Sequence, residues 1–365
     1  MTTLFSHPQL LLLLLLPLFL ILSPPSATAQ TPPVFRCTTR STCRALVGYI
    51  SPNTTTLGHI QSLFEVKTLR SILGVNNLPL NTPSSYTVRA NSTVRIPFPC
   101  RCNNGTGMSN RVPHYTVVQD DGLFHIANQV FSGLLDYNQI VSVNRIRDPN
   151  LIYVGQKLWI PLPCSCDDVD ENPAVHYAHV ATVGSTVGQI AAEFGMSSES
   201  LMRVNGISDP RSLVAGQVLD VPIRACSSSV NSSSPDSSML VANGTYVFTA
   251  NNCVMCSCAA TNNYTLQCQP SGLRAANWPT CPAMRCPNSN LSLGNSTAPS
   301  SCGRTTCAYA GYNRQTILTT LAVENTCQAP GSTGDSNRAP VLHSGGWNLG
   351  IVMLCLQMIM LQRFL

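Results

Sequence analysis

Cysteine gives this chain its most pronounced chemical signature. There are 17 cysteines, several of them closely spaced: Cys37 with Cys43, Cys100-Arg101-Cys102, Cys164-Ser165-Cys166, and Cys253-x-x-Cys256-x-Cys258. Thiols so spaced could hold zinc, exchange disulfides or cross-link the chain. Structural zinc calls for a compact set of four Cys/His ligands, and the first three groups do not provide that spacing. A Cys-x-Cys pair is too short to bond to itself in relaxed geometry, so each pair must reach elsewhere. The six cysteines up to Cys166 allow 15 pairings, and spacing does not choose among them.

Acid–base chemistry has fewer candidates. Glycoside hydrolysis needs two suitably separated carboxylates. Of the 16 acidic residues, Asp148 and Asp209 each precede a proline in a repeated turn, and Asp167-Asp168-x-Asp170-Glu171 reads as a solvated linker. His114 and His176 begin strands at corresponding places, which fits structure better than catalysis. No enzymatic activity, cofactor or metal is expected. Charged residues make up 10% of the chain and the formal +5 is spread without a Lys/Arg block, so a nucleic-acid partner is not expected.

The elements that would position these groups form a repeat. Tyr115 to Pro161 overlays Tyr177 to Pro222, matching Ile126-Ala127 with Ile190-Ala191, Phe131 with Phe194, and Val143-Asn144 with Val204-Asn205. Beyond them Ile146, Asp148-Pro149, Gly155-Gln156, Leu158 and Pro161 fall on Ile207, Asp209-Pro210, Gly216-Gln217, Leu219 and Pro222. A weaker copy runs from Tyr49 to Pro97 through Ile60, Phe64 and Val75-Asn76. A fixed period of this kind signals a repeat architecture. Each copy opens on alternating apolar and polar residues, as in Tyr115-Thr-Val-Val118, which predicts a half-buried strand. In the middle copy the run from Leu123-Phe124 through Phe131 has the spacing of one buried helical face. A second helix is predicted near Tyr137 to Val143, then a turn at Asp148-Pro149 and a strand from Gly155 to Ile160. A strand-helix-helix-strand unit of under about 50 residues has a marginal core, so covalent ties between copies make physical sense.

The chain ends carry processing signals. Leu10 to Leu22 is an apolar run followed by Ala27-Thr28-Ala29, the pattern of a signal peptide cut before Gln30. About 13 apolar residues fall short of the roughly 20 needed to span a bilayer. At the other end, small residues from Gly331 to Ser336, a polar spacer and an apolar tail from Leu349 to Leu365 form a glycosylphosphatidylinositol attachment signal. Gly334 is the preferred attachment residue, with Ser332 and Asp335 next. The tail takes Cys355 with it, leaving an even number of cysteines in a secreted chain, the condition for disulfides. Sequons occur at Asn53, Asn91, Asn104, Asn231, Asn243, Asn263, Asn290 and Asn295.

The recurring Tyr-x-Val, Ile-Ala, Val-Asn, Asp-Pro, Gly-Gln-x-Leu and Ile-Pro-Leu-Pro elements resemble the LysM carbohydrate-binding module. Three copies separated by Cys-x-Cys, with the terminal signals, resemble the plant LysM receptor-like proteins. The resemblance implies an α+β fold of three tandem βααβ LysM modules tied by disulfides and followed by a small Cys-rich disulfide domain. It implies the pairs Cys37–Cys102, Cys43–Cys166 and Cys100–Cys164. The expected divisions are a signal peptide 1–29, modules 37–100, 113–163 and 176–223, a Ser-rich linker 227–239, a Cys-rich domain 240–327, an attachment region and spacer 328–346, and a removed tail 347–365. Cys226 and the nine cysteines from Cys253 to Cys327 are expected to pair within the Cys-rich domain, with connectivity open.

The same resemblance places the ligand groove between the first strand-helix loop and the second helix-strand loop. In the middle module the candidates are Gln119, Asp120, Asp121, Gly122 and Leu123, facing Ile146, Arg147, Asp148, Pro149, Asn150, Leu151 and Ile152. N-acetylglucosamine offers an acetamide, hydroxyls and an acetyl methyl. Gly122 lets backbone approach such a ligand, Ile146 and Ile152 can cover the methyl, and Asp120 and Asn150 can meet hydroxyls. Ile146 and Ile152 recur as Ile207 and Leu213, so they also suit the module core. The third copy has Gly184-Ser185 where the middle one has Asp120-Asp121-Gly122, and a glycan on Asn53 would obstruct the first module's groove, so the middle module is the expected binder. The implied function is a surface pattern-recognition receptor for chitin oligosaccharides, acting through a LysM receptor-like kinase and held to the membrane by its lipid anchor only. The alternatives are a peptidoglycan receptor and a structural wall-surface protein. Whether one ligand bridges two copies into a homodimer is not fixed by the sequence.

Overall fold

The computed structural model describes residues 35–38, 42–227, 230–297 and 303–325. The signal peptide, Gly334, the apolar tail, Cys302 and Cys327 lie outside the described residues.

The repeated sequence elements build three βααβ units. The first has β1 (Thr42–Ile50), α1 (Leu57–Leu63), α2 (Leu69–Val75) and β4 (Thr93–Asn103), with the short pair β2 (Thr55–Thr56) and β3 (Thr87–Val88) between them. After the hairpin strand β5 (Thr106–Ser109), the second unit has β6 (His114–Thr116), α3 (Leu123–His125), α4 (Tyr137–Asn144) and β7 (Lys157–Trp159). The third has β8 (Ala174–Val180), α5 (Val187–Glu193), α6 (Ser198–Asn205) and β9 (Val218–Cys226). In each unit the outer strands pair antiparallel, as in Tyr49↔Val94, Tyr115↔Leu158 and Tyr177↔Val221. Ile60, Ile126 and Ile190 from the first helices are buried with Ile72, Ile140 and Leu201 from the second.

The repeated asparagine clips each unit shut. Asn144 Nδ2 donates to Ile140 O at 2.9 Å and Trp159 O at 2.8 Å, and its Oδ1 accepts from Trp159 N at 2.9 Å. Asn76 makes the same three bonds to Ile72 and Arg95, and Asn205 to Leu201 and Asp220. One side chain thus satisfies a helix-terminal carbonyl and two strand groups that would otherwise be unpaired.

The middle unit departs from the expected regular helix. After α3 the chain widens into a π-turn over Ile126–Val130, where Phe131 N bonds Ile126 O five residues back. Phe124, read as part of the buried face, is instead 66% exposed. As the second residue of α3, Phe124 lies off the stripe that Leu123, Ile126 and Ala127 bury.

Two of the units share one sheet. Its order is β10-β9-β8-β1-β4-β5, where β10 is Val241–Ala242, and the seam between the first and third units is a parallel pairing of Leu46 with Tyr177 and Val47 with Ala178. At this seam a Cβ on Gly48 would lie 2.1 Å from the Tyr177 hydroxyl, so only glycine fits. The second unit stands outside the sheet. It meets the first through an edge-to-face series, Tyr49–Phe64 at 5.1 Å, Phe64–Phe131 at 5.6 Å and Phe131–Tyr115 at 5.9 Å. The repeated Tyr and Phe are therefore interface residues as well as core residues.

Disulfides Cys37–Cys102, Cys43–Cys166 and Cys100–Cys164 join the three units. The sulfurs of Cys37, Cys100, Cys102 and Cys166 crowd within 4.8 Å of one another. All four are spent in disulfides, which removes the thiolates a zinc ion would need. Gly107 threads the hub, where a Cβ would lie 2.0 Å from Cys164 O.

The C-terminal domain consists of β11 (Tyr246–Thr249), β12 (Val254–Ser257) and β13 (Gln267–Pro270) in one sheet, plus the hairpin β14 (Gly303–Asn313) and β15 (Thr316–Asn325). Its bonds are Cys226–Cys258, Cys253–Cys281, Cys256–Cys268 and Cys286–Cys307. The domain is docked on the first unit: Tyr246 donates its hydroxyl to Leu78 O at 2.5 Å, and a Cβ on Gly74 would meet Tyr246 O at 2.1 Å.

Two segments expected to be linkers are tied to the fold by hydrogen bonds, although Asp168, Asp170 and Glu171 stay exposed as expected. In the Ser-rich stretch, Ser234 is buried and its Oγ accepts from Tyr312 N at 2.8 Å, while Asp236 collects the hydroxyls of Thr249 at 2.5 Å and Tyr309 at 2.7 Å. Short hydroxyl side chains that find such partners can order a sequence without a hydrophobic core. In the acidic stretch, Asp167 accepts from Thr38, and Asp170 accepts from Ser200 and Arg203 on α6.

Candidate functional site

The two loops expected to form the groove in the middle unit are tied together at their base. Val117 N donates to Gln156 O at 2.9 Å and Gly155 N to Val117 O at 2.8 Å, so the end of the first strand fixes the exit of the second loop. Asp148 holds that loop's turn, its Oδ1 accepting from Asn150 N at 2.9 Å and its carbonyl from Leu151 N at 3.0 Å. Asp209 repeats the arrangement with Arg211 N in the third unit. Asp148 therefore shapes the loop, as a turn-forming aspartate does.

The candidate residues divide into scaffold and surface. Asp121 is scaffold: its side chain has no exposed area, and it accepts from the Tyr115 hydroxyl at 2.9 Å and Val118 N at 2.8 Å while facing His125 Nδ1 at 2.9 Å. Burial and then the neighbouring Asp121 carboxylate push the Tyr115 hydroxyl up to about 12. Leu123 is buried in the core. Both residues thus face inward, because the turn needs an internal acceptor and the helix start needs an apolar anchor. Gln119, Asp120, Gly122, Arg147, Pro149, Asn150 and Leu151 are exposed. Ile146 and Ile152 are half-buried against the core, so each packs on one side and leaves a flank open.

Gly122 occupies the N-cap of α3 and supplies no capping side chain. The first helical amides here keep their donors, whereas Thr56 and Thr186 cap the first helices of the other units through His59 N and Gln189 N. A Cβ on Gly122 would meet nothing within 4 Å, so the glycine leaves open space in front of these donors.

The structure adds an apolar rim that the groove loops did not announce in sequence. Val118, Leu151, Tyr153 and Val154 on these loops and Phe124 in α3 are all exposed, with Tyr153 at 67%. Exposed aromatic and aliphatic groups around backbone donors suit a ligand with apolar ring faces, a methyl group and amides. The signal available in sequence was the density of large apolar residues in Leu151-Ile-Tyr-Val154, more than a turn needs for its own packing. In the first unit, by contrast, both loops carry a sequon: Asn53 lies in the first and Asn91 in the second, where Asn91 N bonds Ser51 O at 2.7 Å.

Residues 115–161 and 179–222 match the LysM domain family. The chain is similar to "LysM domain-containing GPI-anchored protein 2" of Arabidopsis thaliana, with 48% identity over 94% of this chain and 94% of that protein. It is similar to the "Chitin elicitor-binding protein" of Oryza sativa subsp. japonica, with 44% identity over 82% of this chain and 84% of that protein. Among solved structures, the ectodomain of a receptor like kinase overlays 50% of this chain and 94% of its own at a TM-score of 0.43 and 23% identity.

Proposed function

Since the chain belongs to the family of LysM domain-containing GPI-anchored proteins, we propose that it is an extracellular receptor for chitin fragments that uses the middle unit as its principal binding site. What supports this reading is the set of features on the two loops: the uncapped amides after Gly122, the half-buried Ile146 and Ile152, and the exposed Phe124, Leu151, Tyr153 and Val154. Amide donors meet the acetamide carbonyl, the isoleucine flanks cover its methyl, and the rim stacks on the sugar faces. The name of the rice relative, at 44% identity, supports chitin as the ligand class.

The attachment signal around Gly334 supports a location on the outer face of the plasma membrane. No helix among the described residues is long and apolar enough to cross a membrane. With its tail exchanged for lipid, such a chain reaches the cytoplasm only through a partner, and a LysM receptor-like kinase fits that role.

Calorimetry of the secreted, glycosylated protein with chitin octamer and with soluble peptidoglycan tests the reading. Saturable binding of the octamer is expected, abolished by Ile146→Lys with Ile152→Lys. Normal binding by that double variant would overturn the site assignment. Preference for peptidoglycan would overturn the ligand, and saturable binding of neither sugar would overturn the receptor.

A further inference from the structure

The C-terminal domain carries a groove of about 590 Å³ that the middle unit's chemistry does not use. It runs between β13 and β14. Strand alternation puts Gln267 and Gln269 on its wall while Cys268 between them is buried. The side-chain amides of Asn262, Gln267 and Gln269 have no hydrogen-bond partner among the described residues. Thr261 and Thr306 add hydroxyls, and Arg304 is the only charged residue in the lining. A wall of amides and hydroxyls without carboxylates suits a neutral, polyhydroxylated ligand with amide groups of its own.

One sequon asparagine, Asn263, belongs to that wall. Its position is fixed. Asn263 and Tyr264 are both left-handed, with φ of 50° and 56°, and the turn is held by Asn263 N to Ala260 O at 3.1 Å and Thr265 N to Asn262 O at 2.9 Å. The Arg224 guanidinium lies 3.8 Å from the centre of the Tyr264 ring, pinning the turn to β9. Asn243 Oδ1 accepts from Ala260 N at 2.9 Å on the other side. A glycan leaving Asn263 therefore starts at the groove from a braced turn.

We propose that this groove is a cradle for the first N-acetylglucosamine residues of the glycan on Asn263, with the free amides of Gln267 and Gln269 as their partners. The inference is independent of chitin binding and rests on the groove, the braced turn and the sequon. It is tested on the intact secreted protein by treating the folded form with a peptide N-glycosidase and following release at each site by mass spectrometry. Release at Asn263 is expected to be at least about tenfold slower than at Asn53, the factor set by a local opening of about 1.4 kcal/mol, and the two rates should converge after denaturation. Gln267→Ala with Gln269→Ala, both exposed positions, should bring the native rate at Asn263 up to that at Asn53. Equal native rates in the unaltered protein would overturn the proposal, as would an unoccupied Asn263 or a rate at Asn263 that the double variant leaves unchanged.

Discussion

Replacing Asn144 with alanine separates the stability of a unit from the geometry of its groove. The substitution deletes three hydrogen bonds of 2.8 to 2.9 Å and leaves Trp159 N and O without their partner. At about 1 kcal/mol net for each bond, the loss is about 2–3 kcal/mol. For a protein of this size that lowers Tm by about 3–5 °C. Asn205→Ala deletes the same three bonds in the third unit, so its thermal cost should match. The difference lies in binding. The loop from Arg145 to Tyr153 hangs between Asn144 and β7, and freeing its ends should weaken chitin octamer at least about tenfold, equivalent to about 1.4 kcal/mol. Asn205→Ala should leave that affinity within about twofold. Scanning calorimetry and titration calorimetry on both variants provide the readouts. An Asn144→Ala protein with unchanged Tm, or an Asn205→Ala protein that loses binding to the same degree, would refute the reasoning.

Phe124→Ser and Tyr153→Ser should each weaken chitin binding by about 0.5–1.5 kcal/mol, with little change in Tm because both rings are about two-thirds exposed; an unchanged isotherm for both would remove the rim from the site. Arg145 caps α4 in the left-handed region at φ 53°, where the third unit has Gly206 at 64°. Arg145→Gly should therefore raise stability by about 0.5–1 kcal/mol, read from the denaturation midpoint. His176 is 2% exposed, with Nδ1 2.7 Å from Asp220 Oδ1 and Nε2 2.6 Å from Asp167 O. Burial pulls its pKa down, but the Asp220 charge and the bonds to Asp220 and Asp167 outweigh that and raise it. The folded state then holds this proton more tightly than the unfolded state. The stabilisation is complete below the ordinary histidine value and is lost as pH rises through the raised one. Melting temperature measured against pH should fall on that alkaline limb in the native protein, and the limb should vanish in His176→Gln.

Much of the local architecture was legible because it rests on contacts close in sequence. The Val-Asn pairs mark clips between a helix and a strand that follows within 20 residues, as Asn76 to Arg95 shows, and Asp148 and Asp209 mark turns closed by the next few amides. The parallel seam of Leu46 with Tyr177 carries no such mark, since its partners lie far apart in the chain and each strand reads only as the half-buried opening of its own copy. The same limit hid the docking of Tyr246 on Gly74. Composition misled at Ser234 and Asp236, whose order comes from hydroxyl partners on the distant β14 hairpin rather than from apolar burial. At the groove, loop position correctly singled out Gly122, Asn150 and Leu151 as exposed, but it could not tell the surface Asp120 from the internal Asp121. That distinction depends on where the Tyr115 hydroxyl points. Phe124 was missed because a phenylalanine at helical spacing normally belongs inside.

The arrangement of the three units also has a mechanical side. The first and third units are welded along a shared sheet, while the second is joined to them by Cys100–Cys164 at one of its ends and by the segment leading to Cys43–Cys166. A pull on the middle unit would load these two covalent ties together with the aromatic contact before it reached the hydrogen-bonded seam between the first and third units. If the middle unit holds the ligand as proposed, it hangs on two rivets beside its aromatic packing on the first unit, and sulfur would share the tension from an insoluble polymer with the fold.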